Sequence, residues 1–503
     1  SIKTARDAYR SGITRKVNFR KTQLKALINM IEENEELMVK CLMSDLSKPR
    51  NECFIYEIDA VKNAAVRALN QIDDWFREDQ KRRPLINFFD KIYTVRKPYG
   101  VVLIIGAWNY PIVLTLLPAI GAIAAGNCVI FKPSEISESV AAFLQEMIPR
   151  YLNKVECFHV ISGGVEETSM LLREKLDYIF FTGSKDVGKI IYESAARQLT
   201  PVTLECGGKC PVFIDNGITN IEMVVRRIVW GKCVNSGQTC VAPDYVLCSA
   251  DIQEQFVSTA KQVIKEFYSN FKDYTRIVNE IHCRRIERLL NESNGRIAVG
   301  GKIDVTSKFI EPTIVVDVTL NDSLMREEIF GPVLPIIVIK DCDEAIELLS
   351  AMSEPLCIYL FTDNKSTIDK FNEDTRSGSL VCNDVLVQLV VDELPFGGLG
   401  ESGFGRYFGK HSFDTFSYEK SVMVRNKNIL LETLSSIRYP PHYDIKTTLS
   451  RNILKNYHSF FPLNLSMLPN AVIFAVSSAI NRLKKVIFNF RKFRMHHLTK
   501  LLY

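Results

Sequence analysis

Residues 101–132 read VVLIIGAWNYPIVLTLLPAIGAIAAGNCVIFK, two short apolar runs on either side of a helix-length segment rich in alanine and leucine. Strands this apolar are typical of a parallel sheet that is covered on both faces. The pattern continues with CFHVIS at 157–162 and YIFFTGS at 178–184, again separated by segments of helix length. This alternation predicts a doubly wound α/β domain that binds a nucleotide.

A second series of the same kind follows residue 206. Its strand-like runs are PTIVVDV, PVLPIIVI and CIYLFT, and its helix-like segments are VRRIVWGKC, EQFVSTAKQVIKEFYS and EAIELLSAM. Nearer the start, residues 14–43 and 54–78 carry apolar side chains at helical spacing and predict two amphipathic helices. The chain is therefore predicted to be an α/β protein with two α/β domains, since 503 residues are too many for one hydrophobic core.

The thirteen cysteines show neither CxxC pairs nor Cys/His ligand spacing. An odd number of scattered cysteines predicts free thiols in a reducing compartment, without disulfides or a structural metal site. The first residues, SIKTARDAYRSG, are polar and do not predict a secretory signal.

Cys240 stands out among these cysteines because turn-forming residues precede it in WGKCVNSGQTC. Asn235, Ser236 and Gly237 favour a turn, which predicts that the preceding apolar run ends there and that the thiol lies at an exposed loop tip. A thiol in such a place can act as a nucleophile. The alternative is a buried cysteine that serves only as a small apolar side chain.

Two further polar residues complete a set suited to covalent catalysis. Glu205 precedes a Gly-Gly pair in TLECGGKCP, and Asn109 follows the apolar strand VVLII in GAWNYP. Each has an ordinary interpretation, because Glu beside Gly-Gly is typical of a solvated turn and Asn before Tyr-Pro is typical of a turn or cap. Their joint occurrence with Cys240 favours chemistry.

Five motifs occur in the order GAWNYP, LECGGK, NSGQTC, EEIFGPV and PFGG. Together they resemble the aldehyde dehydrogenase superfamily, and the resemblance extends from about Ile13 to Lys420. The segments GQTCVAPDYVLC and GKHSFDTFSYEKS are most similar to the class 3 branch, which includes the fatty aldehyde dehydrogenases.

The resemblance implies a role for each of the three candidate catalytic residues. The Cys240 thiolate adds to the aldehyde, and the amide of Asn109, with the Cys240 backbone N–H, meets the developing oxyanion. Glu205 prepares the water that hydrolyses the thioester. Cys206 and Cys233 are rival thiols that could form a redox pair or bind a metal; the family usually has Leu and Phe at these positions, which leaves the pocket shape open.

The candidate cofactor residues are spread along the chain. Gly183, Ser184 and Gly188 lie at a strand-to-helix turn in FTGSKDVG, where backbone N–H groups could bind a pyrophosphate. The resemblance implies that the remaining positions hold other parts of NAD: Trp108 near the pyrophosphate, Lys132 and Glu135 at the adenosine ribose, and Glu328 and Phe330 at the nicotinamide. The Glu135 carboxylate should repel a 2′-phosphate, which favours NAD, although class 3 relatives also accept NADP.

The end of the chain differs in composition from the rest. Residues 451–503 contain nine Lys or Arg and no Asp or Glu, around the apolar run LPNAVIFAVSSAI. Basic and apolar clusters together predict association with an anionic membrane surface rather than with nucleic acid. The alternative is a disordered basic tail or one folded back on the protein. We expect the cytoplasmic face of an intracellular membrane, such as the endoplasmic reticulum.

The predicted organisation has four parts, one of which, the arm that pairs subunits, is implied by the resemblance. They are an NAD-binding domain (1–79 and 99–206), a catalytic domain (207–388), a bridging and oligomerisation arm with its return segment (80–98 and 389–430), and a membrane-associating tail (431–503). A homodimer is implied as well.

The predicted function is NAD-dependent oxidation of medium- to long-chain aldehydes to carboxylic acids. Two alternatives remain at the level of sequence. One is a catalytically silent membrane-bound scaffold with the same fold, and the other is a thioesterase that uses the same thiol. A dehydrogenase forms NADH during turnover, whereas the scaffold and the thioesterase do not.

Overall fold

The structure is a computed structural model, and it describes residues 1–83, 87, 89–152, 154–429, 432 and 436–455. Helices occur throughout the described residues. They are α1 (Ile2–Ser11), α2 (Val17–Glu33), α3 (Glu35–Leu46), α4 (Arg50–Cys53), α5 (Asp59–Trp75), α6 (Val113–Ala125), α7 (Glu138–Tyr151), α8 (Val165–Arg173), α9 (Lys185–Ala196), α10 (Ile221–Cys233), α11 (Ala250–Phe267), α12 (Glu280–Asn291), α13 (Ser323–Arg326), α14 (Cys342–Ala351), α15 (Lys365–Asp374), α16 (Gly409–Thr415) and α17 (Asp444–Lys455).

The strands alternate with these helices. They are β1 (Asp79–Gln80), β2 (Lys91–Pro98), β3 (Val101–Ile105), β4 (Cys128–Lys132), β5 (Phe158–Val160), β6 (Tyr178–Gly183), β7 (Val202–Cys206), β8 (Pro211–Ile214), β9 (Tyr245–Cys248), β10 (Arg296–Val299), β11 (Ile303–Asp304), β12 (Phe309–Ile310), β13 (Thr313–Val316), β14 (Val333–Val338), β15 (Cys357–Phe361), β16 (Ser379–Cys382), β17 (Gly403–Phe404) and β18 (Ser417–Val424).

The first α/β series forms a six-stranded sheet in the order β17-β7-β6-β3-β4-β5. Its strands are parallel except β17, which pairs antiparallel with β7. The chain runs from β3 outward through β4 to β5 and then returns to place β6 on the other side of β3. Every residue of β3 and β4 is buried, as expected for strands covered on both faces. The predicted doubly wound fold is confirmed.

The second series forms a seven-stranded sheet in the order β10-β13-β14-β9-β8-β15-β16. It is parallel except for the edge pair β10 and β13. The predicted strands PTIVVDV, PVLPIIVI and CIYLFT correspond to β13, β14 and β15. The second predicted α/β series is therefore confirmed, although several of its helices were not anticipated.

The two predicted N-terminal helices differ from the observed elements. The helix expected over 14–43 is two helices, α2 and α3, because Asn34 leaves the helical conformation between them with φ −125° and ψ 18°. The helix expected over 54–78 begins earlier, at Arg50, and contains a π-helical turn at Phe54–Ile58. The apolar stripes are buried as predicted, with Leu24 and Val61 fully enclosed.

The chain divides into two units. The first comprises residues 1–78 and 95–420 and contains both α/β sheets and every candidate site residue. The second comprises residues 79–94 and 421–503; within its described part, β1 pairs antiparallel with β2, and Asp90 accepts a hydrogen bond from the Asn426 backbone N–H. The predicted boundary near residue 206 falls inside the first unit and stays a prediction.

Two features are absent from the described residues. No helix there combines the length and apolar character that crossing a bilayer requires. No group of three or more His, Cys, Asp or Glu side chains there is placed to hold a metal ion. Residues 456–503, which contain most of the predicted membrane-associating tail, lie outside the described residues.

Candidate active site

A cavity of about 650 Å³ lies at the point where the strand order of the six-stranded sheet reverses. Residues 107–109 line it just beyond the end of β3, and residues 182–185 line it where neighbouring β6 ends. Ligands of open α/β sheets bind outside the carboxyl ends of the strands at such a switch point. Residues 325–328 and 351–354 of the second series complete the walls.

Cys240 lines this cavity and follows a turn of unusual backbone geometry. Asn235, Ser236 and Gly237 have successive positive φ angles of 52°, 55° and 72°. Left-handed backbone is unfavourable for residues other than glycine, so surrounding contacts must hold this turn. The turn is buried, and the expectation of an exposed loop tip is therefore wrong, although Cys240 itself is partly exposed to the cavity.

Side-chain amides hold the turn in place. Asn235 Nδ2 donates to the backbone oxygens of Asn109 (2.9 Å) and Gln238 (3.0 Å), and Gln238 Nε2 donates back to the Asn235 oxygen (2.9 Å). The Gln238 Oε1 accepts the N–H of Val278 at 2.9 Å. A Cβ at Gly237 would collide with the backbone of the loop that follows Phe330, so glycine is needed for space as well as for conformation.

Asn109 reaches the same cavity from the loop after β3. Its side chain is buried, and its Nδ2 donates to the Gln238 backbone oxygen at 3.0 Å. A carboxamide nitrogen carries two N–H groups, so one remains for a substrate oxygen. The loop thereby places a neutral hydrogen-bond donor beside the segment that carries Cys240.

Glu205 lies in β7 and lines the cavity from the sheet side. It is buried, and neither carboxylate oxygen has a hydrogen-bond partner among the described residues. Burial raises the pKa of this carboxyl well above its usual value, while the positive charge of Arg406 acts in the opposite direction. A buried carboxyl group with unused hydrogen-bonding capacity is suited to bind and deprotonate a water molecule.

The Cys240 thiol is affected by two carboxyl groups. Burial raises its pKa, and the negative charges of Glu328 and Glu205 raise it further. The pKa of Glu328 is itself raised to about 8 by burial and by Asp244, while the Gly208 N–H, Lys209 and Lys232 act to lower it. Formation of the thiolate is therefore linked to the protonation of its neighbouring carboxyl groups.

The other two thiols near the motifs are less suited to nucleophilic attack. Cys206 and Cys233 are buried, and burial raises the pKa of each, as it does for Cys240, so access to the cavity is what separates the three thiols. Cys206 packs beneath α9, where its sulfur would lie 3.2 Å from a Cβ at Gly188. Neither residue lines the cavity, so the cysteine best placed for chemistry is Cys240.

The predicted cofactor residues fall into two groups. Trp108, Gly183, Ser184, Glu328 and Phe330 line the cavity, whereas Lys132, Glu135 and Gly188 are not among its lining residues. The Trp108 ring lies edge-on to Phe330, with ring centres 5.4 Å apart.

The start of α9 offers the features that a pyrophosphate requires. Ser184 is the N-cap, and its side chain accepts the Val187 N–H at 3.4 Å. The first N–H groups of a helix point toward the ligand side and attract anions. Gly188 contributes differently from the expectation, because its N–H is bonded to the Ser184 oxygen within the helix and its missing side chain allows the close packing on Cys206.

Lys132 and Glu135 form a pair beside β4. Lys132 Nζ donates to the Glu135 carboxylate at 2.7 Å, and Lys132 is buried while Glu135 is exposed. Burial acts to raise the pKa of Glu135, but the bond from Lys132, the residue's own backbone N–H and the positive charge of Lys132 together outweigh it, and the pKa is lowered. The pair therefore presents a fixed negative charge and a donor, which suit the two hydroxyl groups of a ribose.

Several residues of the site were not anticipated from the sequence. His282 and Arg285 line the cavity from α12, and the His282 ring lies 5.0 Å from that of Trp108. Arg285 donates to the backbone oxygens of Glu328 and Ile329 and so holds the loop that carries Glu328. The sequence contained a pattern that could have predicted this helix. The buried residues of α12, Cys283, Ile286 and Leu289, have helical spacing.

A doubly wound sheet has a cavity at its switch point, lined by a thiol, a carboxamide and a carboxyl group without hydrogen-bond partners among the described residues. This arrangement is suited to nucleotide-dependent chemistry at a cysteine. The family model described as "Aldehyde dehydrogenase family" matches residues 1–422. The chain belongs to the aldehyde dehydrogenase family and is an enzyme that oxidises aldehydes with NAD or NADP.

The similarity to individual proteins covers most of the chain. It is 43% identical over 457 residues to rat aldehyde dehydrogenase family 3 member A2, covering 90% of this chain and 93% of that one. It is 44% identical over 445 residues to the rat dimeric NADP-preferring aldehyde dehydrogenase, covering 88% and 97%. The substrate-bound structure of Staphylococcus aureus AldH matches with a TM-score of 0.86 at 38% identity, covering 90% and 98%. These similarities bear out the class 3 resemblance.

Proposed function

We propose that the enzyme oxidises medium- to long-chain aliphatic aldehydes, with Cys240 as nucleophile, Asn109 as oxyanion donor and Glu205 as base. The observation that supports this assignment is the convergence of these three side chains on one cavity at the switch point of the nucleotide-binding sheet. Among them, Glu205 has no hydrogen-bond partner within the described residues and is therefore free to bind water.

The first half of the proposed reaction builds charge on the aldehyde oxygen. The Cys240 thiolate attacks the carbonyl carbon, and the resulting oxyanion accepts hydrogen bonds from the free N–H of Asn109 and the backbone N–H of Cys240. Because Gln238 already holds Asn109 Nδ2, the donor is oriented before the substrate arrives.

NAD, when bound by the start of α9, the Lys132–Glu135 pair, Glu328 and Phe330, would accept the hydride that leaves the former aldehyde carbon as the oxyanion re-forms a C=O bond and a thioester on Cys240 results. The residues of the chain then complete the second half. The carboxylate form of Glu205 takes a proton from water, and the hydroxide attacks the thioester on Cys240. The C–S bond breaks and the carboxylic acid leaves, and the departing Cys240 thiolate takes the proton from Glu205, which restores both groups.

Assembly and location are proposed on separate grounds. One rat relative is named dimeric, which supports a homodimer here, with the predicted arm and return segment at the subunit contact. The nine basic residues and the apolar run of 451–503 support association with an anionic membrane surface, at the cytoplasmic face of the endoplasmic reticulum. The domain boundaries given above remain part of this proposal.

The test is an NADH-absorbance assay over aldehydes of increasing chain length. Cys240→Ser abolishes NADH formation, because a hydroxyl of much higher pKa cannot replace the thiolate. Cys206→Ser is the matched control and retains activity, because that thiol is buried away from the cavity. Dehydrogenase activity in Cys240→Ser would remove the proposed nucleophile, and thioester hydrolysis without NADH would identify a thioesterase.

The same assay tests the membrane proposal. Deleting residues 451–503 spares short, water-soluble aldehydes and lowers the activity on long-chain aldehydes in anionic vesicles. Co-sedimentation with anionic and neutral vesicles at two salt concentrations measures binding directly. Equal pelleting of the full-length and shortened proteins would refute the tail as the membrane-binding segment.

A further inference from the structure

A short segment between α3 and α5 carries three charged side chains toward the catalytic loops. Lys48 and Glu57 are completely buried and form an ion pair of 2.7 Å, and Glu52 lies on the helix between them. Removing charged groups from water is costly unless they are paired and hydrogen-bonded. The hydrogen bonds that these three side chains make therefore indicate the role of the buried charges.

Lys48 contacts the loop that carries the oxyanion donor. Its Nζ donates to Glu57 and, at 3.1 Å, to the backbone oxygen of Asn109. The same ammonium group lies 4.1 Å from the ring centre of Tyr110, the next residue. One buried cation thus holds two consecutive residues of this loop.

Glu57 holds the other end of the loop. Its Oε2 accepts the backbone N–H groups of Ile112 and Val113, both at 3.1 Å, at the start of α6. A carboxylate is favourable at the N-terminus of a helix. The residues from Asn109 to Val113 are therefore fixed at both ends by one ion pair.

The third charge extends this arrangement to the cysteine turn. Glu52 Oε2 accepts the Asn235 N–H at 3.0 Å and the Thr275 hydroxyl at 3.2 Å. Asn235 in turn donates to the Asn109 oxygen that Lys48 also contacts. The loops of Asn109 and Cys240 are thus joined through a single carbonyl group.

A π-helical turn lies beside both carboxylates. Within Phe54–Ile58 the hydrogen bonds follow an i→i+5 pattern, as in the bond from the Asp59 N–H to the Phe54 oxygen. Glu57 lies in this turn, and Glu52 lies on α4 just before it. Such turns are frequent at functional sites.

We propose that Lys48 and Glu57 are positioning residues that hold the Asn109 carboxamide at the oxyanion, with Glu52 holding the turn before Cys240. The inference rests on the proposed role of Asn109. A displacement of about 1 Å at a reacting group lowers the rate by roughly 10²-fold. The pair therefore acts on the chemical step through Asn109 without contacting the substrate.

The experiment is a double-mutant cycle in the full-length enzyme. Lys48→Met and Glu57→Gln are each measured alone and combined with Asn109→Ala, with rates expressed per folded protein. Either single variant lowers kcat by about 10- to 100-fold and leaves the KM for NAD within about twofold. In the Asn109→Ala background the further loss is less than about twofold, because the group being positioned is already absent.

Arg20→Met is the matched control. Arg20 is also a buried cation, and it donates to the backbone oxygens of Thr14, Ala124 and Arg15, away from the cavity. This variant melts at a lower temperature and keeps its kcat. If Lys48→Met does not fold, Glu57→Gln provides the test, because its amide keeps the shape of the side chain.

Three results would each contradict a different part of the proposal, and the measurements distinguish them. An unchanged kcat in Glu57→Gln refutes positioning. Equal losses with and without Asn109→Ala show that the ion pair acts independently of Asn109. A normal kcat in Asn109→Ala alone removes the oxyanion donor and therefore the proposed site, whatever the ion pair does.

Discussion

Glu57 and Glu205 are both buried carboxyl groups, but their surroundings are opposite. Glu57 accepts bonds from Lys48 and from two backbone N–H groups, whereas Glu205 has no hydrogen-bond partner among the described residues. Burial raises the pKa of both, and for Glu57 these donors act to lower it again. A carboxylate whose oxygens already accept hydrogen bonds holds the surrounding structure in place. A carboxylate with unused hydrogen-bonding capacity is available to bind and deprotonate water.

The largest expected effect comes from Glu205. Glu205→Gln lowers sustained turnover by about 10²- to 10⁴-fold, because the amide cannot take a proton from water. A first burst of NADH remains, since hydride transfer precedes this step, and stopped-flow absorbance measures both phases. Loss of the burst with persistent steady turnover would contradict the assignment.

Asn109→Ala comes next, with a fall in kcat of roughly 10²-fold or more, as expected for the removal of one donor to an oxyanion. The KM for NAD changes little, because the amide bonds the Gln238 backbone and not the start of α9. Steady-state kinetics at varied NAD gives both constants. A defect confined to KM for NAD would place Asn109 in the nucleotide site instead.

The pH dependence follows from the raised pKa of Glu205. A general base works in its ionised form, so hydrolysis of the thioester slows by about tenfold for each pH unit below that raised pKa and increases as the pH rises through it. Single-turnover measurements of the hydrolytic step over a pH series test this. A profile that is flat from mildly acidic to alkaline pH would exclude Glu205 as the base.

The same pKa has a consequence for stability. A carboxyl group with a raised folded pKa binds more protons when folded, so it destabilises the protein as pH rises above its unfolded pKa. Glu205→Gln therefore gains stability over the wild type toward neutral pH. The folded pKa of Glu57 is also raised, but Glu57→Gln loses stability for a different reason, because it leaves the buried Lys48 ammonium without its partner charge. Thermal melts of both variants at several pH values measure the contrast.

The smallest effect is expected at the Lys132–Glu135 pair. Glu135→Gln lowers the preference for NAD over NADP by a few-fold, about 10-fold at most, because its carboxylate is exposed and its repulsion of a 2′-phosphate is partly screened. Glu138→Gln, three residues on and also exposed, leaves the ratio unchanged. An unchanged ratio of the two kcat/KM values in Glu135→Gln would show that this residue does not contact the ribose.

The sequence was most informative where the relevant contacts are local. The apolar runs of β3, β4 and β6 predicted a parallel sheet, and the motif around Cys240 predicted a turn. The burial of that turn was not predictable, because it depends on Asn109, which lies more than a hundred residues away along the chain.

The ion pair of Lys48 and Glu57 was missed for a similar reason. In the sequence each is one charged residue among many near the end of a helix, and only the folded chain brings them against residues 109–113. Helix α12 was missed although its apolar residues have helical spacing, because five of its twelve residues are charged. Patterns of periodicity locate elements, whereas the buried polar contacts between them require the fold.

Strand β17 determines when during synthesis the site can be completed. It is two residues long and pairs with the free edge of β7, opposite Glu205, almost two hundred residues after that strand. Closing such a long loop is slow relative to local folding. A growing chain on the ribosome therefore carries Cys240, Asn109 and Glu205 long before the edge beside Glu205 is covered.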